Sequence, residues 1–393
     1  MKALRNIGRV FTPGQPVLSG VDLLIDGERI AAVVPAGTGR DVDDSFDCRG
    51  ALLTPGLIDA HTHPVYAAPR LEEVARRAAG ASYSEIASLG GGINATVAST
   101  RVTPVQTLRE EARSRFSKWL QQGTTTLEAK TGYWLNQSGE IEAVRLLAGL
   151  SSDPRLPRLA VTFLGAHELP AEFRHDRDSF VQAVQLWCPE AAAAGARFCD
   201  VFCDQGAFSV EEARSILLAG RRAGLGLRIH ADEIALTGGS LLAAELDAAS
   251  ADHLLRIADA EIAALARSNC AATLCPVTAL NMGRLPPARA LIDSGVPVAL
   301  GTDHNPGTSG TTSMSLIVYL AVSDFKMTVE EGLTAATWGG ARSLCLEDRG
   351  RIEAGMLADL VMWDADHEGA FAWEPGLGAI AVWRGGQLVN DCS

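Results

Sequence analysis

Apolar and polar positions follow two rhythms along this chain. Between residues 55 and 345, short apolar runs alternate with longer, alanine-rich stretches of helical pattern. That alternation is the pattern of parallel strands joined by helices. Eight runs read as strands. They are "LIDAH" to His61, "TTTLEAK" to Lys130, "LAVTFLGAH" to His167 and "FCDVFCD" to Asp204. Then come "GLRIHAD" around His230, "ASADHL" around His253, "AATLCP" to Pro276 and "PVALGTD" to Asp303. Among the helical stretches, "VEEARSILLAGRRAG" has Ser209 as its N-cap and Gly224 as its stop signal. The ends of the chain differ. "VDLLIDGERIAAVVP", "GALLTPG", "ADLVMWDAD" and "IAVWRGGQLV" are short strands broken by Asp-Gly, Gly/Pro and Gly-Gly turns.

Eight strand–helix units in roughly 250 residues fit a (β/α)8 barrel. An open, doubly wound sheet is the alternative. Polar residues end nearly all eight strands, and those ends converge on one face only if the sheet closes. The expected architecture is therefore α/β. Residues 1–54 form the N-terminal part of a small β-sandwich, 55–345 the barrel, and 346–393 the C-terminal part of the sandwich.

Composition narrows the function classes. The chain has 393 residues, 47% of them hydrophobic, enough for a large core. Its net charge is −13 and it has no Lys/Arg run, which argues against a nucleic-acid partner. No apolar run approaches the roughly 20 residues of a membrane span. The N-terminal residues carry no continuous apolar segment of signal-peptide type. Eight scattered cysteines read as reduced thiols of a cytoplasmic protein. Cys199 and Cys203 lack a second pair at zinc-site spacing and read as buried structural thiols.

The strand ends carry the chemistry. Residues two apart on a strand point the same way, so His61 and His63 both face the barrel axis. His230 ends the fifth strand and Asp303 the eighth. Three imidazoles and a carboxylate suit one Zn(II) or Fe(II/III), with room for water. His-x-His alone is weak evidence; four ligands in strand-end context are strong. Asp303 can also take a proton from that water. His253, ending the sixth strand, can touch the water or the carbonyl under attack. Glu233, three residues after His230, can contact a substrate nitrogen. The bland readings are a solvated acid for Glu233 and a core histidine for His253. Lys130 also ends a strand, and a modified lysine bridging two metals is the less favoured alternative. His175 and His367 read as surface residues.

"PGLIDAHTH", "GTDHNPGTS" and the split β ends resemble the amidohydrolase superfamily. Within it, "AGASYSEIASLGGGINATVAST", "KTGYWL", "TFLGAHELP", "VFCDQGAFS", "HADEI" and "SADHL" resemble the imidazolonepropionase family, in its order along nearly the whole chain. The resemblance implies a single Zn or Fe held by His61, His63, His230 and Asp303. It implies that Arg70 grips a substrate carboxylate, and that Tyr133, His167 and Glu233 contact the ring or amide. It also implies that Asn305, Gly307 and Thr308 hold the tail of the ligand. The implied partner is a small anionic heterocycle; assembly as a homodimer is left open. The implied reaction opens 4-imidazolone-5-propanoate with water to N-formimidoyl-L-glutamate. Alternatives are another imidazolone- or hydantoin-like ring, an aminohydrolase releasing ammonia, and a non-enzymatic scaffold. Tyr66, Ala67 and Ala68 depart from the family pattern, His304 stands between Asp303 and Asn305, and Trp134 replaces a small residue. An indole beside Tyr133 is expected to narrow or cover the pocket.

Overall fold

The structure, a computed structural model, describes residues 1–38, 42, 44–81, 85–86 and 89–391. Residues 82–84 and 87–88 of the "AGASYSEIASLGGGINATVAST" segment lie outside the described residues. All eight expected barrel strands are present. They are β1 (Leu57–Asp59), β2 (Thr124–Lys130), β3 (Arg158–Ala166), β4 (Phe198–Cys203), β5 (Gly226–Ala231), β6 (Ser250–His253), β7 (Ala271–Leu274) and β8 (Val298–Leu300). Each pairs in parallel with its sequence neighbour.

The first and last strands meet just past their ends. Ala60 N–H donates to Leu300 O at 3.1 Å, Asp303 N–H to His61 O at 2.9 Å, and His63 N–H to His304 O at 2.8 Å. Asp59 reinforces the seam, accepting from Thr302 N–H at 2.9 Å, from the Thr302 hydroxyl at 2.6 Å and from Trp119 Nε1 at 2.9 Å. The ring is closed, and the open-sheet alternative falls away. Gly56 enters β1 where a Cβ would lie 2.1 Å from Thr125 Oγ1, so only glycine lets the chain approach β2 there.

Strand alternation decides what lies inside. On β2, Leu127 and Ala129 belong to the apolar layer between strands and helices, while Glu128 and Lys130 bond across the barrel axis. The apolar core is thus a sleeve around the barrel, and the axis is polar. The helix Val210–Arg222 follows its sequence signals: Ser209 and Glu212 form a reciprocal capping box, and Gly224 follows at φ +85°. Cys199 and Cys203 are buried thiols, as expected. Among the described residues, no helix is long and apolar enough to cross a membrane.

The chain ends build two further sheets. One orders Arg29–Pro35, Val21–Asp26, Lys2–Arg5 and Asp44–Asp47. The other orders Gln387–Asp391, Ala379–Arg384, Leu360–Trp363, Leu52–Pro55 and Arg9–Val10. Leu4, Leu23, Ile25 and Ile30 from the first share a buried cluster with Val10, Leu53, Leu360 and Trp383 from the second. Segments from opposite ends of the chain therefore complete one small core. The hairpin at Gly385 (φ +56°) and Gly386 (φ +69°) has the two positive φ values of a type I′ turn, which accounts for both glycines.

Candidate active site

Four expected groups meet at the C-terminal mouth of the barrel. His61 and His63 follow β1, His230 lies near the end of β5, and Asp303 follows β8 at φ +47°. His61 Nε2 lies 3.2 Å from His63 Nε2, which lies 3.4 Å from His230 Nε2. Asp303 Oδ1 lies 3.5 Å from the Nε2 atoms of both His61 and His63. The opposite ring nitrogens explain the orientation. His61 Nδ1 donates to Asp252 Oδ2 at 2.7 Å, and His230 Nδ1 faces Asp200 Oδ2 at 3.0 Å. Each Nε2 is then left with a lone pair. Burial also holds His61 and His63 well below the usual imidazole range, so they are neutral donors.

Lone pairs at hydrogen-bond distance repel unless something positive lies between them. A tetrahedral ion with bonds of about 2.0–2.1 Å spaces its ligand atoms by about 3.3–3.4 Å. Four of the six pairwise separations, at 3.2–3.5 Å, match that spacing. Imidazoles backed by carboxylates are the usual surroundings of bound metal. The residues present fit a single divalent ion. His253, ending β6 at φ +75°, stands beside the set with its ring 4.8 Å from that of His61. Asp303 Oδ2 accepts from the Thr278 hydroxyl at 2.5 Å, and burial pushes its carboxyl up to about 6.

Beneath the histidines lies a charged layer of which the sequence reading singled out only Lys130. Glu128 and Lys130 on β2, Asp200 on β4, Arg228 on β5 and Asp252 on β6 are essentially excluded from solvent. Lys130 Nζ bonds Asp200 Oδ2 at 2.6 Å and Glu128 Oε1 at 2.7 Å, and lies 3.4 Å from Asp252 Oδ2. Arg228 reaches Glu128 at 3.1 Å and Asp252 at 3.3 Å. These carboxylates raise Lys130 to about 12 against the opposing effect of burial. Lys130 is thus held as an ammonium among three carboxylates.

Above the histidines opens a solvent-connected cleft. Arg70, Tyr133, His167, Glu233, Asn305 and Thr308 line it together with His63, His230, His253 and Asp303. Arg70 is held between Glu73 Oε1, 3.0 Å from its Nε, and the Thr96 hydroxyl, 2.7 Å from Nη1. His167 Nδ1 lies 3.0 Å from Gly132 O, so it carries the proton and leaves Nε2 as an acceptor. Burial lowers His167 to about 3, and its ring stacks on His63 at 4.9 Å. Glu233 is pushed well above the carboxylate range by burial, then by Asp303 and Asp204. It is 3.8 Å from His253 Nδ1.

The "NPGT" loop is braced by its own asparagine. Asn305 Oδ1 accepts from Gly307 N–H at 2.7 Å and Thr308 N–H at 2.8 Å, and its Nδ2 donates to Asp303 O at 2.6 Å. Its amide shapes the loop from inside. Gly307 abuts Arg70, where a Cβ would sit 1.8 Å from Nη2. Phe202, Ile93 and Met282 supply apolar cleft walls that the sequence reading did not single out. Phe202 was discoverable, being two residues beyond the inward-facing Asp200 on β4.

Trp134 does not narrow the cleft. Its indole packs over Gly139, where a Cβ would come within 2.3 Å of it, and it is absent from the cleft walls. Tyr66 and His304 also serve each other outside that cleft: the Tyr66 hydroxyl meets His304 Nε2 at 2.9 Å, and Arg115 lies 3.8 Å over the tyrosine ring. His175 and His367 are exposed, as expected.

Residues 52–389 match the amidohydrolase family model. An imidazolonepropionase of Desulfotalea psychrophila is 40% identical over 369 residues, covering 93% of this chain and 89% of that protein. One from Geobacillus thermodenitrificans is 43% identical, covering 88% of this chain and 82% of that protein. Among solved structures, atrazine chlorohydrolase of Arthrobacter aurescens complexed with zinc superposes with a TM-score of 0.76 at 20% identity. That match covers 100% of this chain and 95% of the other, and it speaks for the fold.

Proposed function

The chain belongs to the amidohydrolase family, and on that premise we propose that it opens 4-imidazolone-5-propanoate with water to N-formimidoyl-L-glutamate. It is a hydrolase acting on carbon–nitrogen bonds, and its curated relatives over most of its length are imidazolonepropionases. One observation carries the substrate class: a single small cleft has a guanidinium among its walls together with a convergent set of imidazole nitrogens. A planar guanidinium suits a carboxylate tail, and the imidazole set suits an ion at the reacting carbonyl.

His61, His63, His230 and Asp303 would hold one Zn(II) or Fe(II/III). Such an ion lowers the pKa of water and polarises a carbonyl oxygen. The remaining work falls to side chains. Arg70 binds the propionate and sets the ring's reach into the cleft. His167 Nε2 accepts a ring N–H. Glu233, whose carboxyl burial pushes well above the carboxylate range, contacts a ring nitrogen and fixes the tautomer. Asp303 takes the proton of the attacking water. The carbonyl carbon gains that oxygen, the ring C–N bond breaks, and the departing nitrogen receives a proton from within the site. His253 steadies the oxygen as charge builds on it.

The test follows the ultraviolet absorbance of 4-imidazolone-5-propanoate with purified enzyme. Absorbance should fall without release of ammonia. Ammonia release would point instead to an aminohydrolase. Arg70→Met should raise KM about 10- to 100-fold, the equivalent of a charged hydrogen bond of ~1.5–3 kcal/mol. An unchanged KM would remove Arg70 from substrate binding.

A further inference from the structure

Lys130 is a strand-end group that the proposed reaction does not use. Its ammonium is fully buried and sits among three carboxylates. Two of those contacts share oxygens with the metal-facing histidines. Asp200 Oδ2 touches both Lys130 Nζ at 2.6 Å and His230 Nδ1 at 3.0 Å. Asp252 Oδ2 touches both Lys130 Nζ at 3.4 Å and His61 Nδ1 at 2.7 Å. The same neighbourhood is a donor set for a cation: ligand atoms of Asp200, His230 and Asp252 lie within 4.8 Å of one another. Asp200 Oδ1, fully buried, has no hydrogen-bond partner among the described residues.

We infer that Lys130 is a positioning residue whose ammonium occupies a second cation position beneath the histidines, so that the site takes one metal ion and not two. The ammonium does there what a second ion would do. It neutralises Asp200 and Asp252 and fixes the two oxygens that orient His230 and His61. It also does so without competing for the Nε2 lone pairs, because it reaches the rings only through the carboxylates. Arg228 shares the neutralisation but approaches from Glu128 and Asp252, and among the described residues no ion pair joins it to Asp200. Deleting the lysine side chain would open space and leave three carboxylates facing one arginine.

This inference rests on the metal reading above, so its test reads metal uptake and not turnover. The metal-free full chain is titrated with Co2+ as parent, Lys130→Arg and Lys130→Ala, with bound ion counted and the visible spectrum recorded. The parent and Lys130→Arg should take one equivalent. Lys130→Ala should take two, and its thermal midpoint should keep rising past the first equivalent. A folded Lys130→Ala that binds one equivalent with the parent spectrum overturns the inference. A parent that binds no ion refutes the metal reading itself, and this one with it. If Lys130→Ala does not fold, Lys130→Gln fills the space without the charge. It should bind the first equivalent at least ~10-fold more weakly, the scale of outer-shell substitutions, with a shifted spectrum. Parent-like affinity and spectrum in Lys130→Gln would equally overturn it.

Discussion

Two glycines separate substrate binding from metal binding at the level of single residues. A Cβ added at Gly307 would meet the guanidinium of Arg70, the end of a long side chain that can yield. Gly301 faces the backbone and Cβ of His61, where an added Cβ would lie 2.9 Å from the amide nitrogen and 2.8 Å from Cβ. Backbone held by the β1–β8 seam cannot step aside as a guanidinium can. Gly307→Ala should therefore raise KM while leaving bound metal at one per chain. Gly301→Ala should weaken metal retention about tenfold or more, by the scale of displaced ligand support. Steady-state kinetics beside metal analysis separates the two, and the reverse pattern would contradict the contacts. The convergence of His61, His63, His230 and Asp303 was legible because each closes an apolar run. The layer below was harder to see. Glu128, Arg228, Asp200 and Asp252 stand in apolar strands, and their partners lie up to a hundred or more residues away, as with Lys130 and Asp252. The available signal was period two: Glu128 precedes Lys130, and Arg228 precedes His230, on the same face. Trp134 was misjudged because the side its indole takes is set by Gly139, in the helix that follows.

Local rules and long-range ones govern different elements. The helix Val210–Arg222 was readable in full because its capping box and glycine stop are local chemistry. Ser209 accepts from Glu212 N–H, and Glu212 returns a bond to Ser209 N–H at 2.7 Å. Ser209→Ala should cost about 1 kcal/mol of stability. It should leave kcat and KM unchanged, since neither Ser209 nor Glu212 is among the walls of the cleft. Denaturant unfolding beside kinetics checks both halves, and a change in KM would mean that this helix cap bears on the site. Strand identities were likewise readable, but the ends of β1 and β8 were not. The expected strands ran to His61 and Asp303, whereas the ladders stop at Asp59 and Leu300. Beyond them the backbone turns to place ligands, with Asp303 at φ +47° and His253 at φ +75°. Such left-handed positions are strained for side chains of this kind and cluster at functional sites. Alternation of apolar residues carries no trace of them.

Charge balance across the barrel axis links the whole fold to its ion. Glu128, Asp200, Asp252 and Asp303 are four carboxylates held with two fixed cations, Lys130 and Arg228. Four carboxylates against two cations leave two negative charges in the buried cluster. One divalent ion neutralises them. The proposed ligands follow or end β1, β5 and β8, so a bound ion would also join the first and last strands to the middle of the ring. Metal removal should consequently loosen the closure and not merely stop turnover. An ion present at a hundred times its Kd stabilises the folded chain by about 2.7 kcal/mol relative to the ion-free protein. The chelated chain should unfold at lower temperature, and one equivalent of divalent ion should restore the midpoint. Amide exchange should quicken first at Ala60, His63 and Asp303, whose N–H groups make the β1–β8 bonds. Equal midpoints before and after verified metal removal would show that the seam holds by its hydrogen bonds alone, with the ion serving chemistry only.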